Sequence, residues 1–176
     1  MVAQLPAISV NDDSSQKLPL TVGYFKDLCS RFMSEKSAKL AEKLTLEPPV
    51  EPVSTGSVFL DEWYEKERCL RLALAQIRAL RMKKDIKDLP SASDGESIQA
   101  ARTATGMDSP LAAEQYLNQY RLGILDRIAP MDSFSADAVY SYGLKLMLAE
   151  RMKKFNKDEG LASYHKIYDE ILGEKK

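Results

Sequence analysis

The stretch Phe59 to Asp85, FLDEWYEKERCLRLALAQIRALRMKKD, contains neither Gly nor Pro. Uninterrupted chain of this kind reads as one long helix. Within it, from Cys69 to Met82, ten of fourteen residues are apolar or Ala. A helix so apolar around its circumference must be covered on several sides. That requirement commits the chain to an all-α fold, an irregular bundle of five to six helices around Phe59–Asp85.

Along this helix Leu60, Trp63, Glu67, Leu70, Leu74, Ile77 and Arg81 follow alternating steps of three and four. The seam is heptad-like, but it stops after three heptads. A second apolar stripe, Cys69, Ala73 and Leu80, runs beside it. Two stripes suit a central helix packed on several neighbours better than a coiled-coil strand. Acidic residues (Asp61, Glu62, Glu65, Glu67) occupy the first half, and basic ones (Arg78, Arg81, Lys83, Lys84) the last turns. That polarity favours the helix dipole.

The rest of the chain supplies the cover. Residues 1–20 form an extended N-terminal arm. Thr21 and Ser34 offer N-cap oxygens for a helical hairpin over 21–46, with Phe25, Cys29 and Leu40 among its apolar positions. Residues 47–57 are a Pro-rich linker, which excludes helix. Ser57 then caps the long helix, and 58–173 form the main helical domain. The small, polar segment 88–108 reads as a mobile loop with at most a short helix at about 95–104. Ser109-Pro110 starts the next helix, and Ser135 opens Ala136 to Phe155. Between Ala138 and Ala149 that helix carries one charge, Lys145, so it is the second buried helix. Asn156 and Glu159 make a capping box for a last helix, with Leu161, Tyr164, Tyr168, Ile171 and Leu172 as its stripe.

Charge and motif content exclude several functions. The 25 basic and 26 acidic residues nearly cancel, whereas a phosphate-backbone binder shows basic excess, so no nucleic-acid partner is expected. No apolar run approaches the length of a membrane span, and the N-terminus lacks signal-peptide features. Cys29 and Cys69 read as reduced, half-buried thiols of a cytoplasmic protein. His165 is the single His; with no companion ligands it makes no metal site, and no nucleophile motif, Gly-rich loop or P-loop is present. The expectation is a non-enzyme with no catalytic residue, cofactor or metal.

The polar minority of the apolar helices supplies the structural or interface candidates: Trp63, Arg71, Arg78 and Glu150. Arg71 and Arg78 are seven residues apart on one line of the long helix. Each can bury its stem while its guanidinium finds a carboxylate. Glu150, in the other apolar helix, is the first candidate partner, and Glu114 the second. On that reading Arg78→Leu destabilises far more than Lys83→Leu.

At this point the residues resemble a known family. FLDEWYEKERCLRLALAQIRALRMKK is similar to the central segment of a bacterial protein family whose genes lie among those for V-type ATP synthase subunits. VAQLPAISVND with KLPLTVGYFKDLC resembles that family's N-terminus. SPLAAEQYLNQYRLGILDRI with AVYSYGLKLMLAERMKKFNKDEGLASYHKIYDEIL resembles its C-terminal half. The likeness covers most of the chain in the right order, and Met1 falls where the family has aromatic residues ahead of the Val-Ala pair. The long helix also resembles a Leu-Arg-Ala-x-Arg helix of the V-type ATPase central-stalk protein that caps the proteolipid ring. Ile77, Arg78, Ala79 and Arg81 carry that likeness; Leu72 stands where the ring-capping protein often has Asn. The family's extra helical stretch ahead of the central helix is replaced here by the Pro-rich linker.

The resemblance implies a non-catalytic central-stalk connector in rotary ion transport, similar to the ring-capping protein. Its partners would be other V-type ATP synthase subunits, the central stalk and the proteolipid ring. Its place would be cytoplasmic, peripheral at the inner face of the membrane. The alternative is a helical adaptor or regulatory protein.

Overall fold

The computed structural model describes residues 5–8, 18–84, 90, 94–154 and 157–173. These residues form seven helices and no strand. They are α1 (Val22–Phe32), α2 (Glu35–Glu42), α3 (Val58–Arg81), α4 (Gly95–Gly106), α5 (Pro110–Arg127), α6 (Ala136–Lys153) and α7 (Lys157–Gly173). The all-α bundle around a long central helix is as the sequence requires. α3 touches α4, α5 and α6, so its apolar circumference is covered from three directions.

Side-chain oxygens start the helices where the sequence places them. Thr21, Ser34, Ser57, Ser109 and Ser135 each accept a hydrogen bond from the backbone N–H three residues on. Ser57 does more than cap: its hydroxyl donates to Asp137 in the first turn of α6 at 2.6 Å. One serine thus ties the starts of the two most apolar helices together. The expected capping box at Asn156 lies outside the described residues.

The seventh helix is the main departure. α4 covers the short helix allowed at about 95–104 and is well formed, although the scarcity of bulky residues made 88–108 read mainly as a mobile loop. Asp94 caps it through Ser97 N–H. Ala100, Ala101 and Ala104 are buried against Leu70, Ala73, Leu74 and Leu117. Alanine has the highest helix propensity, and its small side chain lets α4 lie close to α3. Burial here comes from close approach, a signal that a search for bulky side chains misses.

α3 also ends earlier than Asp85. Lys83 adopts a left-handed backbone with φ of 54°. Its N–H donates to Leu80 O, and Lys84 N–H donates to Ala79 O at 2.9 Å. This is the Schellman arrangement, which satisfies the last carbonyls and stops the helix. A Lys replaces the usual Gly, so no glycine marks the stop in the sequence.

The larger core joins α1, α2, α3, α5 and α6 through Phe25, Ala41, Trp63, Leu125, Tyr140 and Leu144. Residues on both sides of the Pro-rich linker contribute to it. Leu5, Ile8, Leu18 and Leu20 of the N-terminal arm pack on its edge, and Tyr142 donates to Pro6 O at 2.9 Å. Gly143 makes the α1–α6 contact possible. A Cβ there would stand 2.6 Å from the Phe25 ring and 3.2 Å from Leu44. Cys29 and Cys69 form no disulfide, and both are buried rather than half-buried.

Candidate functional site

The most buried charged groups gather where α3 faces α5, beneath a cleft of about 650 Å³ that α1, α6 and the chain after α2 also border. Behind two of its lining residues, Arg71 and Arg121, is Glu67, 1% exposed and placed on the seam of α3 between Trp63 and Leu70. A carboxylate at such a position needs partners, because an unpaired buried charge costs several kcal/mol. Two arginines supply them. Arg121 of α5, 5% exposed, donates from Nε to Oε2 at 2.9 Å and from a terminal nitrogen to Oε1 at 3.0 Å. Arg71, one turn along α3, donates from Nε to Oε1 at 2.8 Å. The Arg121 contact is a two-pronged fork, the geometry in which guanidinium and carboxylate match best.

The second layer holds this fork in place. Asn118, buried on α5 one turn before Arg121, accepts from the Arg121 guanidinium at 3.4 Å. Arg71, half-buried, reaches Leu46 O at 3.4 Å and Glu47 at 3.8 Å. Both Glu67 oxygens therefore face cations, and three of their roughly four lone-pair directions are taken up by the two guanidinium groups. The cluster is a lock between helices rather than an open acid–base pair.

The candidates named from the sequence fall into different places. Arg71 does pair with carboxylates, but with Glu67 and Glu47 and not with Glu150 or Glu114. Glu150 instead accepts the Val22 N–H at 2.8 Å, placing a carboxylate at the positive end of α1. Glu114 pairs with Arg151. Arg78 lines the cleft but is exposed, with no ion-pair partner among the described residues. Arg78→Leu therefore removes no buried pair, contrary to the sequence expectation that it greatly destabilises the fold. Arg78 lies near the C-terminal end of α3, beyond the reach of the buried layer. Trp63 is fully buried in the larger core, and its indole N–H has no partner among the described residues.

Glu67, Arg121 and Asn118 are the residues that sequence reasoning did not single out. Glu67 had a signal: it is the one carboxylate on a seam whose other positions are Leu, Trp and Ile up to the closing Arg81. Arg121 had less, because the apolar stripe of α5 runs through Leu117, Tyr120, Ile124 and Ile128. Arg121 lies one position off it.

A second polar group joins α3, α4 and α5 at the surface. Asp94 accepts from Ser97 and pairs with Lys66 at 3.3 Å. The Ser97 hydrogen bond, with help from Lys66, holds the Asp94 carboxyl below its ordinary value despite some burial. Arg127 grips Glu96 with two bonds of 3.0 and 2.8 Å, which lowers the Glu96 carboxyl and raises the Arg127 guanidinium. Both side chains are more than half exposed, so the pair contributes little to stability. Among the described residues no group of three or more His, Cys, Asp or Glu side chains is placed to hold a metal ion. His165 is exposed on α7 beside Tyr164. Burial pushes the Cys29 thiol up to about 11, against a small opposing effect of Lys26, so it is not a ready nucleophile.

No family model matches the chain, and no curated protein or solved structure matches it either. Among the described residues no helix is long and apolar enough to cross a membrane.

Proposed function

We propose that the chain is a non-catalytic helical connector of a V-type ATP synthase, standing peripherally between central stalk and proteolipid ring. The reading draws its name from the ordered resemblance of the N-terminal, central and C-terminal segments. From the geometry it draws on one observation: the buried Glu67 fork that fastens α3 to α5. A part that passes torque must resist shear between its helices. Paired, hydrogen-bonded charges fix one relative position of two helices in a way that apolar packing alone does not.

The test is co-purification. A tagged chain expressed in its own cell should be recovered with shaft and ring subunits from detergent-solubilised membranes, and washing with high salt should release it as a peripheral component. Repeated absence from the intact complex would reject the reading. The second reading is a helical adaptor outside the ATP synthase. The exposed apolar stripe of α7 favours it, because such a face lets a helical module assemble with another chain, a second copy included. Recovery of the tagged chain with a cytoplasmic complex instead of the membrane fraction would select it.

A further inference from the structure

α7 shows water a face that belongs in an interface. Leu161, Tyr164, Ile167, Tyr168, Ile171 and Leu172 are between 49% and 60% exposed. Leu161, Tyr164, Tyr168 and Ile171 follow three–four–three spacing, the inner positions of a two-helix seam. Ile167 and Leu172 flank that seam, while Lys166, Asp169 and Glu170 lie off it. Tyr164 and Tyr168 stack along it with ring centres 6.0 Å apart. Among the described residues no other helix of the chain covers this face. A helix of 17 residues without a packed face is near the limit of stability in water.

We infer that α7 of a second copy covers it, the two helices lying antiparallel about a two-fold axis near Lys166. The pattern is self-complementary under that operation. Leu161 then faces Ile171, Tyr164 faces Tyr168, and no charged residue between 160 and 173 falls on the seam. A contact of this isologous kind closes on itself. By their fractional exposures the six side chains show roughly 700 Å² to water per copy, the most such a contact can bury and just under the ~800 Å² per partner of a standard interface. A membrane surface is the poorer occupant. The polar side of a helix that lies on anionic lipid is rich in Lys and Arg, whereas between 160 and 173 α7 sets Asp169 and Glu170 against Lys166.

This inference is independent of the connector reading: it is read on the isolated protein, and co-purification reads the other. Sedimentation velocity and light scattering of the full chain across a concentration series should give a dimer. The double variant Tyr164→Glu/Ile171→Glu should be monomeric with the thermal transition of the helical body unchanged. Cross-linking fixes the direction of pairing. Two Leu161 positions of an antiparallel pair stand ~15 Å apart, from the helical rise, so Leu161→Cys alone should resist mild oxidation. Leu161→Cys/Ile171→Cys should link copies rapidly. A wild-type monomer throughout the series overturns the inference, as does a dimer that survives the Glu substitutions. A monomer that binds anionic vesicles through α7 overturns it in favour of lipid, and rapid linking by Leu161→Cys alone overturns the antiparallel arrangement.

Discussion

α3 and α7 begin from the same kind of sequence and end in opposite environments. Each carries apolar residues at alternating steps of three and four. In α3 that seam is buried from Leu60 to Leu74 and covered by three other helices. In α7 the seam is exposed from Leu161 to Ile171. The difference lies in what surrounds the seam. α3 has a second apolar stripe through Cys69 and Ala73, so it is a centre that neighbours can pack around. α7 has one stripe and a charged back, so it can accept a single neighbour. A heptad pattern alone therefore tells where a helix is sticky; the number of stripes tells whether it is central or peripheral.

The sharpest way to break this comparison is to attack the charge that α3 buries. Arg121→Leu leaves Glu67 with half its partners in a closed site, a loss of about 3–5 kcal/mol. Arg78→Leu, on the same helix but in water, should stay within about 0.5 kcal/mol. Urea denaturation of the two variants checks the contrast, and equal midpoints would mean that the Glu67 fork is not a lock. Next in size is a matched truncation. Leu70→Ala on α3 should cost about 2–5 kcal/mol, while Ile171→Ala on α7 should leave the melting of the helical body within about 0.5 kcal/mol in dilute protein. A large effect of Ile171→Ala on that transition would show that α7 is part of the core after all.

Smaller still is the effect of filling the space beside Phe25. Gly143→Val should destabilise by about 1–3 kcal/mol through overpacking, seen as a lowered thermal midpoint. An unchanged midpoint would show that the Phe25 ring can move aside. Lys83→Gly should act in the opposite direction. It relieves the left-handed strain at the end of α3 and should stabilise by about 1 kcal/mol, measurable as a higher urea midpoint. The mildest expected effect is on acid stability. Hydrogen bonds to Asp94, from Ser97 foremost, lower its carboxyl below the ordinary 3.8. Burial alone would raise Asp61, but hydrogen bonds from Thr55 and Ser54 outweigh it and lower this carboxyl also. A depressed carboxyl contributes stability above its unfolded value and loses it as pH falls through the folded one. Thermal midpoints should therefore fall from about pH 4 downward, and Asp94→Asn should make that decline shallower. Identical pH profiles for wild type and variant would remove Asp94 from the account.

Much of the architecture was readable because it depends on local rules. Ser57, Ser109 and Ser135 were identifiable as caps because a capping bond spans three residues. The centrality of α3 followed from its composition. Asp94, also a cap, went unused because the segment behind it held alanines rather than large side chains. The charged cluster was only partly readable. Arg71 stood out as a cation in an apolar helix, yet its partner was sought on α6 when it lay one turn away on α3.

By itself the sequence determined that the chain is helical, where most helices start, which helix is central, and that α7 carries an apolar stripe. Each of these follows from the backbone's local preferences and from the demand that apolar surface leave water. Only the tertiary structure decided that Arg121, 54 residues from Glu67, closes the buried fork, that Glu150 caps α1 instead of pairing with Arg78, and that alanines bring α4 against α3. Those outcomes depend on the distances between helices. Helical periodicity fixes which way a side chain points, but not what stands opposite it.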